Sequence, residues 1–448
     1  MPSALEQLVS LRDAPERHDI PLEDLQSLQI EAANERFESR IDQIPLLANR
    51  AGSAGITKVT SPQDLVPLLF AHNTYKTYAE PWLQEGQWDR MAKWLQTVST
   101  YQVDGRSFTD VADLDDWVTQ LEEQGLYVGC SSGTTGKPAM LGSTQTDLQF
   151  SAKANVSGFA WATGVVPAKD RKVLGLGPRM KVARNEYIRD ALVEAFASPD
   201  EETYQLPVPI ITVSSIMNMI MLRRRIADGT AKASDVAEFE RISKERQASL
   251  KGASDDAIET LIKSRDKKLF LMSMFASLYD LAAGIREAGY SGKDFQPDNA
   301  LLTGGGLKGA QLPPDYREII LETFNLSEQR IFQLYSMQEL NTPFPRCAAA
   351  RYHIAPWVIA LPLDTPGEQL LDADAGEIEA RAAFFDLSLD GRWGGVISGD
   401  RISLDMRPCA CGHQGPTVGP DIVRYSDLES GDKISCAGTI DAYVRGES

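Results

Sequence analysis

Residues 127 to 141 read YVGCSSGTTGKPAML, and this stretch constrains the fold more than any other. Apolar residues lead into a run in which the hydroxyls of Ser131, Ser132, Thr134 and Thr135 surround Gly133 and Gly136, with Lys137 closing it. A phosphate chain needs many donors at close range without steric bulk. The hydroxyls supply donors, the glycines let backbone N–H groups approach, and the lysine adds a positive charge. The segment before the run reads as a short strand, and TQTDLQFSAKANVSGFAWA after it reads as a helix, so a strand–loop–helix setting is expected. A Ser/Gly-rich surface loop is the plainer alternative for a short polar run, and the expected setting favours phosphate over it. A Walker A loop is excluded, because Ser131 stands where its first glycine belongs and Pro138 follows the lysine. That disfavours a P-loop kinase.

The rest of the chain fits one large α/β fold. Residues 4 to 44 read as helical, interrupted only by Pro15 and Pro21, and residues 61 to 123 alternate helical patterns with turns. The apolar run VPIITVSSIMNMIML reads as a buried strand entering a helix and is too short and polar to span a bilayer. Residues 224 to 267 are charged and read as solvated helix, followed by a Leu-rich helix over 268 to 288. NALLTGGGLKG reads as a strand entering a glycine turn, PPDYREIILETFN as a helix and QRIFQLYSMQEL as a second strand. This alternation favours a partly parallel sheet, and short strands dominate from about residue 350. The net charge of −18 argues against nucleic-acid or anionic-membrane partners. Acidic residues in the first 24 positions and the lack of an apolar run there argue against a signal peptide, so a cytoplasmic location is expected. Five cysteines in a chain of 448 residues do not suggest a disulfide framework.

SSGTTGKP resembles the signature loop of the adenylate-forming superfamily, which includes acyl-CoA ligases, peptide-synthetase adenylation domains and firefly luciferase. Later segments are similar to that family in the same order: TGGG at 303 to 306, LYSMQELN at 334 to 341, SGDRI at 398 to 402 and GTIDAYVRG at 438 to 446. GGGLKG, QRIFQLYSMQELN and RYHIAPWV are similar to the acyl-protein synthetase branch of bacterial bioluminescence. The CACG turn and the loop ending GKPA are similar to phenylacetate-CoA ligases.

The resemblance implies an α/β fold of mixed sheets flanked by helices plus a β-rich lobe. It implies an AMP-binding domain over 1–437 and a hinge remnant over 438–448, with no room for the C-terminal lid that usually follows. The implied reaction activates a carboxylic acid with ATP to an acyl-adenylate, releases pyrophosphate, and passes the acyl group to a thiol: CoA, a carrier protein or a protein cysteine. Positioning and charge neutralisation would carry most of it, because two anions must meet. The loop from Ser131 to Lys137 would hold the β- and γ-phosphates, with Thr134 and Lys137 catalytic. Glu339 would be catalytic as the Mg²⁺ ligand. Gly304, Gly305 and Gly306 would admit the base or acyl group, and Tyr335 would lie on adenine, with Ser336, Met337 and Gln338 beside it. Asp400 would accept the ribose hydroxyls. Ala139, Ser336 and Gln338 depart from the family pattern. Thr439 stands where a ribose-contacting arginine is usual, leaving Arg401 and Arg445 as weaker candidates. Glu339 as an ordinary surface acid and Asp400 as a turn residue are the alternatives.

Cys347, His353, Cys409 and Cys411 are the ligand types of a closed tetrahedral Zn²⁺ site, with His413 in reserve. Four protein ligands would make it structural. Buried thiols with a core histidine are the alternative. Cys436 is either an acyl acceptor, as the bioluminescence relative suggests, or an inert thiol, the reading favoured here; Cys130 reads as packing. Phe159, Trp161 and residues 208 to 222 could line an acyl pocket, though such residues are more often core. Two other functions compete: a phosphotransferase, which would release ADP, and a degenerate nucleotide-binding or scaffold protein.

Overall fold

A computed structural model describes residues 2–103, 105–108, 110–130, 137–304, 311–373 and 376–428. The expected phosphate-loop residues 131–136, Gly305 and Gly306, Cys436, Arg445 and the hinge remnant lie outside the described residues. The chain divides into two compact units, one of residues 1–154 with 337–448 and the other of residues 155–336.

In the second unit, four strands are almost wholly apolar: Lys172–Gly175, Leu269–Met272, Ala300–Thr303 and Ile331–Tyr335. Each pairs with its neighbour in parallel, in the spatial order 331–335, 300–303, 269–272, 172–175, with Tyr204–Gln205 added outside 172–175. Successive side chains on a strand point to opposite faces. Val173, Phe270, Ala300 and Phe332 therefore enter one buried cluster, and Leu174, Leu271, Leu301 and Ile331 enter the other. Burial on both faces explains why these strands read as continuous apolar runs rather than alternating ones. The crossovers are helical: Phe275–Glu287 joins 269–272 to 300–303, and Tyr316–Phe324 joins 300–303 to 331–335.

Two expectations need correction here. The Leu-rich segment 268 to 288 is a strand, Leu269–Met272, followed by a helix, because LFLM is buried on both faces of the sheet and not along one helical stripe. The strand expected in VPIITVSSIMNMIML is the two-residue Ile211–Thr212, and it is only half-buried, with Ile210 49% exposed beside it. Thr212 then caps the helix Val213–Ala227 by accepting the Ser215 N–H. The charged region is helical as expected: Ala233–Lys263 is largely solvated, and Ala253, Ala257 and Leu261, four residues apart, form its buried stripe. Phe159 is fully buried, its ring centroid 4.9 Å from that of Phe196 and 4.6 Å from that of Phe270, which makes it core rather than pocket lining.

The first unit begins with the helices Ala4–Ser10 and Leu22–Arg40, separated where Pro15 and Pro21 break the pattern. Its main element is a seven-stranded sheet built on the long hairpin Ile378–Asp386 and Gly395–Asp405. Short strands add to it: Val358–Ala360 on the first long strand, and Thr417–Val418 and Val423–Arg424 on the second. Phe70–Ala71 pairs in parallel with Val396 and Ile397, and the His72 N–H donates to the Ile397 carbonyl oxygen at 2.8 Å. Among the described residues no helix is long and apolar enough to cross a membrane.

The aromatic packing of the second unit predicts that Phe159→Ala costs about 3–5 kcal/mol. Denaturant unfolding followed by fluorescence should show the midpoint falling with little change in slope.

Candidate functional site

Residues 127 to 143 begin and end in the two strands of a β-hairpin. Tyr127–Cys130 pairs antiparallel with Met140–Ser143, Tyr127 facing Ser143 and Cys130 facing Met140. The expected strand–loop–helix setting is therefore corrected to strand–loop–strand, and the helix Gln145–Thr163 begins only after the second strand. The reason is the apolar run Ala139–Met140–Leu141, which is buried and adds a strand before the chain can turn into a helix. Tyr101 clamps the open end of the hairpin. Its hydroxyl donates to the Tyr127 carbonyl oxygen at 2.5 Å and accepts the Ser143 N–H at 2.8 Å. A Cβ at Gly142 would stand 2.8 Å from the Tyr101 ring, so only glycine admits this clamp. At the closed end, the Lys137 ammonium donates to the Tyr78 carbonyl oxygen and lies 4.8 Å from the centre of the Tyr78 ring. The Tyr78 hydroxyl donates to the Pro138 carbonyl oxygen at 3.0 Å.

Two buried carboxylates fix the segment that carries Gln338 and Glu339. Asp147, at the start of the helix after the hairpin, accepts the Thr144 N–H at 2.9 Å, the Asn341 side-chain amide at 2.8 Å, and the N–H groups of Asp390 and Gly391, both at 2.8 Å. Asp386, at the end of its strand, accepts the Asn341 N–H at 2.9 Å, the Thr342 N–H at 3.1 Å and the Ser388 hydroxyl at 2.6 Å. Burial pushes the Asp386 carboxyl above the usual carboxylate range, and its hydrogen bonds from Ser388 and Thr342 oppose that shift. Gly391 must be glycine, because a Cβ there would stand 2.8 Å from the Asp147 carboxylate and 3.0 Å from the Thr144 nitrogen.

Glu339 is partly exposed as a residue, yet its carboxyl group is enclosed by its neighbours. Burial pushes that carboxyl above its ordinary value, as does the charge of Asp400, while Arg392 and Lys76 act the other way. Tyr75 lies close enough to feel the Glu339 charge. The first unit thus brings Glu339 and Asp400 within electrostatic reach of each other and of two cations. The Gln338 side chain lies over the strand Tyr127–Cys130, its oxygen 3.7 Å from where a Cβ on Gly129 would be. Met337 is half-buried beside it.

Asp400 accepts a hydrogen bond from the Ser398 hydroxyl at 2.9 Å. Its neighbour Arg401 pairs instead with Glu379 at 3.2 Å on the adjacent strand. In the second unit, Gly304 ends its strand against Met274, Tyr335 is buried at the end of the strand Ile331–Tyr335, and Ser336 is exposed.

The sequence reading singled out neither Lys76 nor Tyr75, nor Arg392 and Arg381. All four sit in segments that carry no motif. Arg381 is fully buried beside a register shift in its strand, donating to the Thr365 carbonyl oxygen at 2.8 Å and the Ser398 carbonyl oxygen at 3.1 Å, with its guanidinium 3.8 Å from the Tyr425 ring centre.

The cysteine and histidine residues do assemble. One ligand atom from each of Cys347, His353, Cys409 and Cys411 lies within 4.8 Å of the others. Cys347 Sγ is 3.8 Å from Cys409 Sγ, and Cys411 Sγ is 3.2 Å from His353 Nε2. A tight turn brings Cys347 back toward His353, with the Cys347 N–H donating to the Arg351 carbonyl oxygen at 2.8 Å. His353 pairs with Thr417, just beyond the Cys409–Cys411 turn, in which Gly412 takes a φ of +97°. Burial lowers the His353 pKa to about 4 and pushes the Cys411 thiol up to about 12. His413 is not one of the four: its Nδ1 lies 2.6 Å from Asp19 Oδ1. Cys130 is buried, and that burial pushes its thiol up to about 12, in keeping with packing.

No protein-family model matches the sequence, and no curated protein does. Among solved structures, the chain is similar to 2-hydroxyisobutyryl-CoA ligase in complex with 2-HIB-AMP and CoA. Against its open conformation the TM-score is 0.54 at 13% identity, over 93% of this chain and 79% of that one. Against its thioesterification state the TM-score is 0.56 at 14% identity, over 92% of this chain and 71% of that one. The protein therefore has the α/β fold of the adenylate-forming enzymes.

Because the Asp147 carboxylate collects donors from three separate segments, Asp147→Ala strands several buried N–H groups. It should cost about 3 kcal/mol or more, read as a lowered thermal midpoint.

Proposed function

We propose that the protein activates a carboxylic acid with ATP, forming an acyl-adenylate and pyrophosphate, and then passes the acyl group to a thiol. The observation that carries this reading is the convergence of Glu339, Asp400, Lys76 and Arg392 in a unit that also holds the stem of the glycine and hydroxyl loop. The fold it shares with a ligase captured with an acyl-AMP and CoA supports it.

A carboxylate acylates poorly because its leaving group would be oxide. Attack of its oxygen on the α-phosphorus of ATP, with pyrophosphate departing, converts that oxygen into part of a good leaving group, AMP. Both reactants are anions, so the site's work is to bring them together and offset their charge. Residues 131–136 and Lys137 would hold the β- and γ-phosphates, with Thr134 and Lys137 acting where charge develops. Asp400, braced by Ser398, would accept the ribose hydroxyls. Tyr335, Gly304 to Gly306, and Ser336 to Gln338 would border adenine and the acyl group. Arg445 is kept as a candidate, and Arg401 is weakened by its pairing with Glu379.

Glu339 fits a divalent cation: its carboxyl is enclosed, a second carboxylate lies within reach, and no arginine or lysine closes on it as an ion pair among the described residues. Mg²⁺ held there would supply charge neutralisation on the phosphate oxygens. Cys347, His353, Cys409 and Cys411 fit Zn²⁺, since thiolate sulfur and imidazole nitrogen are its preferred donors and the four already converge. With four protein donors the site would be structural. The thiol acceptor is CoA, a carrier protein or a protein cysteine, and a cytoplasmic setting with no nucleic-acid or membrane partner goes with this reading.

The test is ATP–pyrophosphate exchange across a panel of aliphatic and aromatic acids. One or more acids should support exchange, and Glu339→Gln should lower the rate about a hundredfold or more while the protein still folds. ADP as product would mean phosphotransfer. ATP binding without exchange for any acid would mean a nucleotide-binding protein without this catalysis.

Metal analysis of the purified protein should find about one zinc per chain, lost in Cys409→Ser, with a lowered thermal midpoint on chelation.

A further inference from the structure

Arg392 is the residue whose surroundings the mechanism above leaves unexplained. Its side chain is only 2% exposed, and its Nε and Nη1 have no hydrogen-bond partner among the described residues. A buried cation with idle donors is costly, so its one firm engagement is informative. That engagement is with the main chain of the site: Nη2 lies 3.3 Å from the carbonyl oxygen of Gln338 and 3.3 Å from that of Glu339. The guanidinium also lies 5.6 Å from the centre of the Tyr75 ring.

The backbone that carries Arg392 is fixed on both sides. The two preceding N–H groups, of Asp390 and Gly391, both donate to Asp147. The Thr100 N–H donates to the Gly391 carbonyl oxygen at 2.9 Å, and Arg392 itself bridges to Ser99. The same Asp147 carboxylate accepts the Asn341 amide two residues beyond Glu339. Glu339 is therefore held from behind at two points, by Arg392 on its own carbonyl and by Asn341 on the Asp147 anchor.

We propose that Arg392 is a positioning residue for acid activation, holding the Gln338 and Glu339 carbonyl oxygens in one grip so that the Glu339 side chain is presented in a fixed orientation. The inference rests on the adenylation reading above. Its physical basis is that a small misplacement of a charged group at a reacting centre costs rate far more than it costs affinity. Arg392 acts through the peptide it holds and touches no reacting atom.

The test uses Arg392→Met and Arg392→Lys in the full chain, after thermal melts confirm folding. Amide hydrogen exchange should quicken about tenfold over residues 337 to 342 in Arg392→Met, with the segments around Cys347 and Cys409 unchanged. Pyrophosphate exchange should lose about a hundredfold in kcat while KM for ATP stays within about threefold. Arg392→Lys keeps the charge and can serve one carbonyl, so it should recover about tenfold of that loss. If Arg392→Met fails to fold, Arg392→Lys alone should show about a tenfold drop in kcat at constant KM. Unchanged hydrogen exchange over 337 to 342, or a kcat within about threefold of the parent in a folded variant, overturns the proposal. An unsubstituted protein that exchanges pyrophosphate with no acid overturns the adenylation reading itself, which is told apart because the parent activity is then absent.

Discussion

The Asp147 carboxylate is the interaction on which the first unit's site depends. Four N–H donors from the hairpin exit, the Glu339 segment and the turn before Arg392 converge on two oxygens that water does not reach. A buried carboxylate is expensive to desolvate, and charge-assisted hydrogen bonds from several backbone groups are what offset that cost. The arrangement is also directional. Each donor must sit where the carboxylate geometry demands, so three segments distant in sequence take up fixed positions relative to one another. Asp386 repeats the device one residue further along, on the backbone of Asn341 and Thr342.

Around that anchor, the charges of the site are arranged with unequal completeness. Arg401 with Glu379 and Arg40 with Asp390 are ordinary pairs, which leave little charge for a ligand. Glu339 is different, because its carboxyl is enclosed and, among the described residues, no arginine or lysine closes on it as an ion pair. Enclosed charges of that kind are where a binding site differs from a stability element, since a ligand can supply what the fold withholds. The Cys347, His353, Cys409 and Cys411 cluster lies in the same unit. The Gln414 N–H donates to the His18 carbonyl oxygen at 2.7 Å and Asp19 meets His413, so the segment between the helices Ala4–Ser10 and Leu22–Arg40 is tied to the turn carrying two of the cysteines.

Much of this was legible in the residues. Of the parallel strands of the second unit, Ala300–Thr303 and Ile331–Tyr335 could be read because burial on both faces leaves mostly apolar positions, and Cys347, His353, Cys409 and Cys411 could be singled out as one set by their residue types. Where periodicity is short, the reading slipped. LFLM cannot be told from the start of a helix by its own four residues, and its sheet neighbours Val173 and Ala300 decide it. The same holds for Met140–Ser143, whose strand character comes from pairing with Tyr127–Cys130 rather than from any alternation of its own. Arg401 follows Asp400 directly in sequence, but strand neighbours face opposite ways, and it turned to Glu379 instead.

By itself, the sequence determined the α/β class and the cysteine and histidine set that the fold brings together, and pointed to Glu339 and Asp400 as the acids of interest. The first two follow from local composition and spacing, which a chain carries wherever it folds, and the two acids from the resemblance of their segments to the adenylate-forming superfamily. Only the tertiary structure decided that Tyr127–Cys130 pairs with Met140–Ser143, that Lys76 and Arg392 act on the Glu339 charge, and that Asp147 gathers donors from three segments. Those facts depend on sheet register and on which backbone donors meet at one carboxylate. Neither is written in any single segment, because both are properties of pairs of segments brought together by burial.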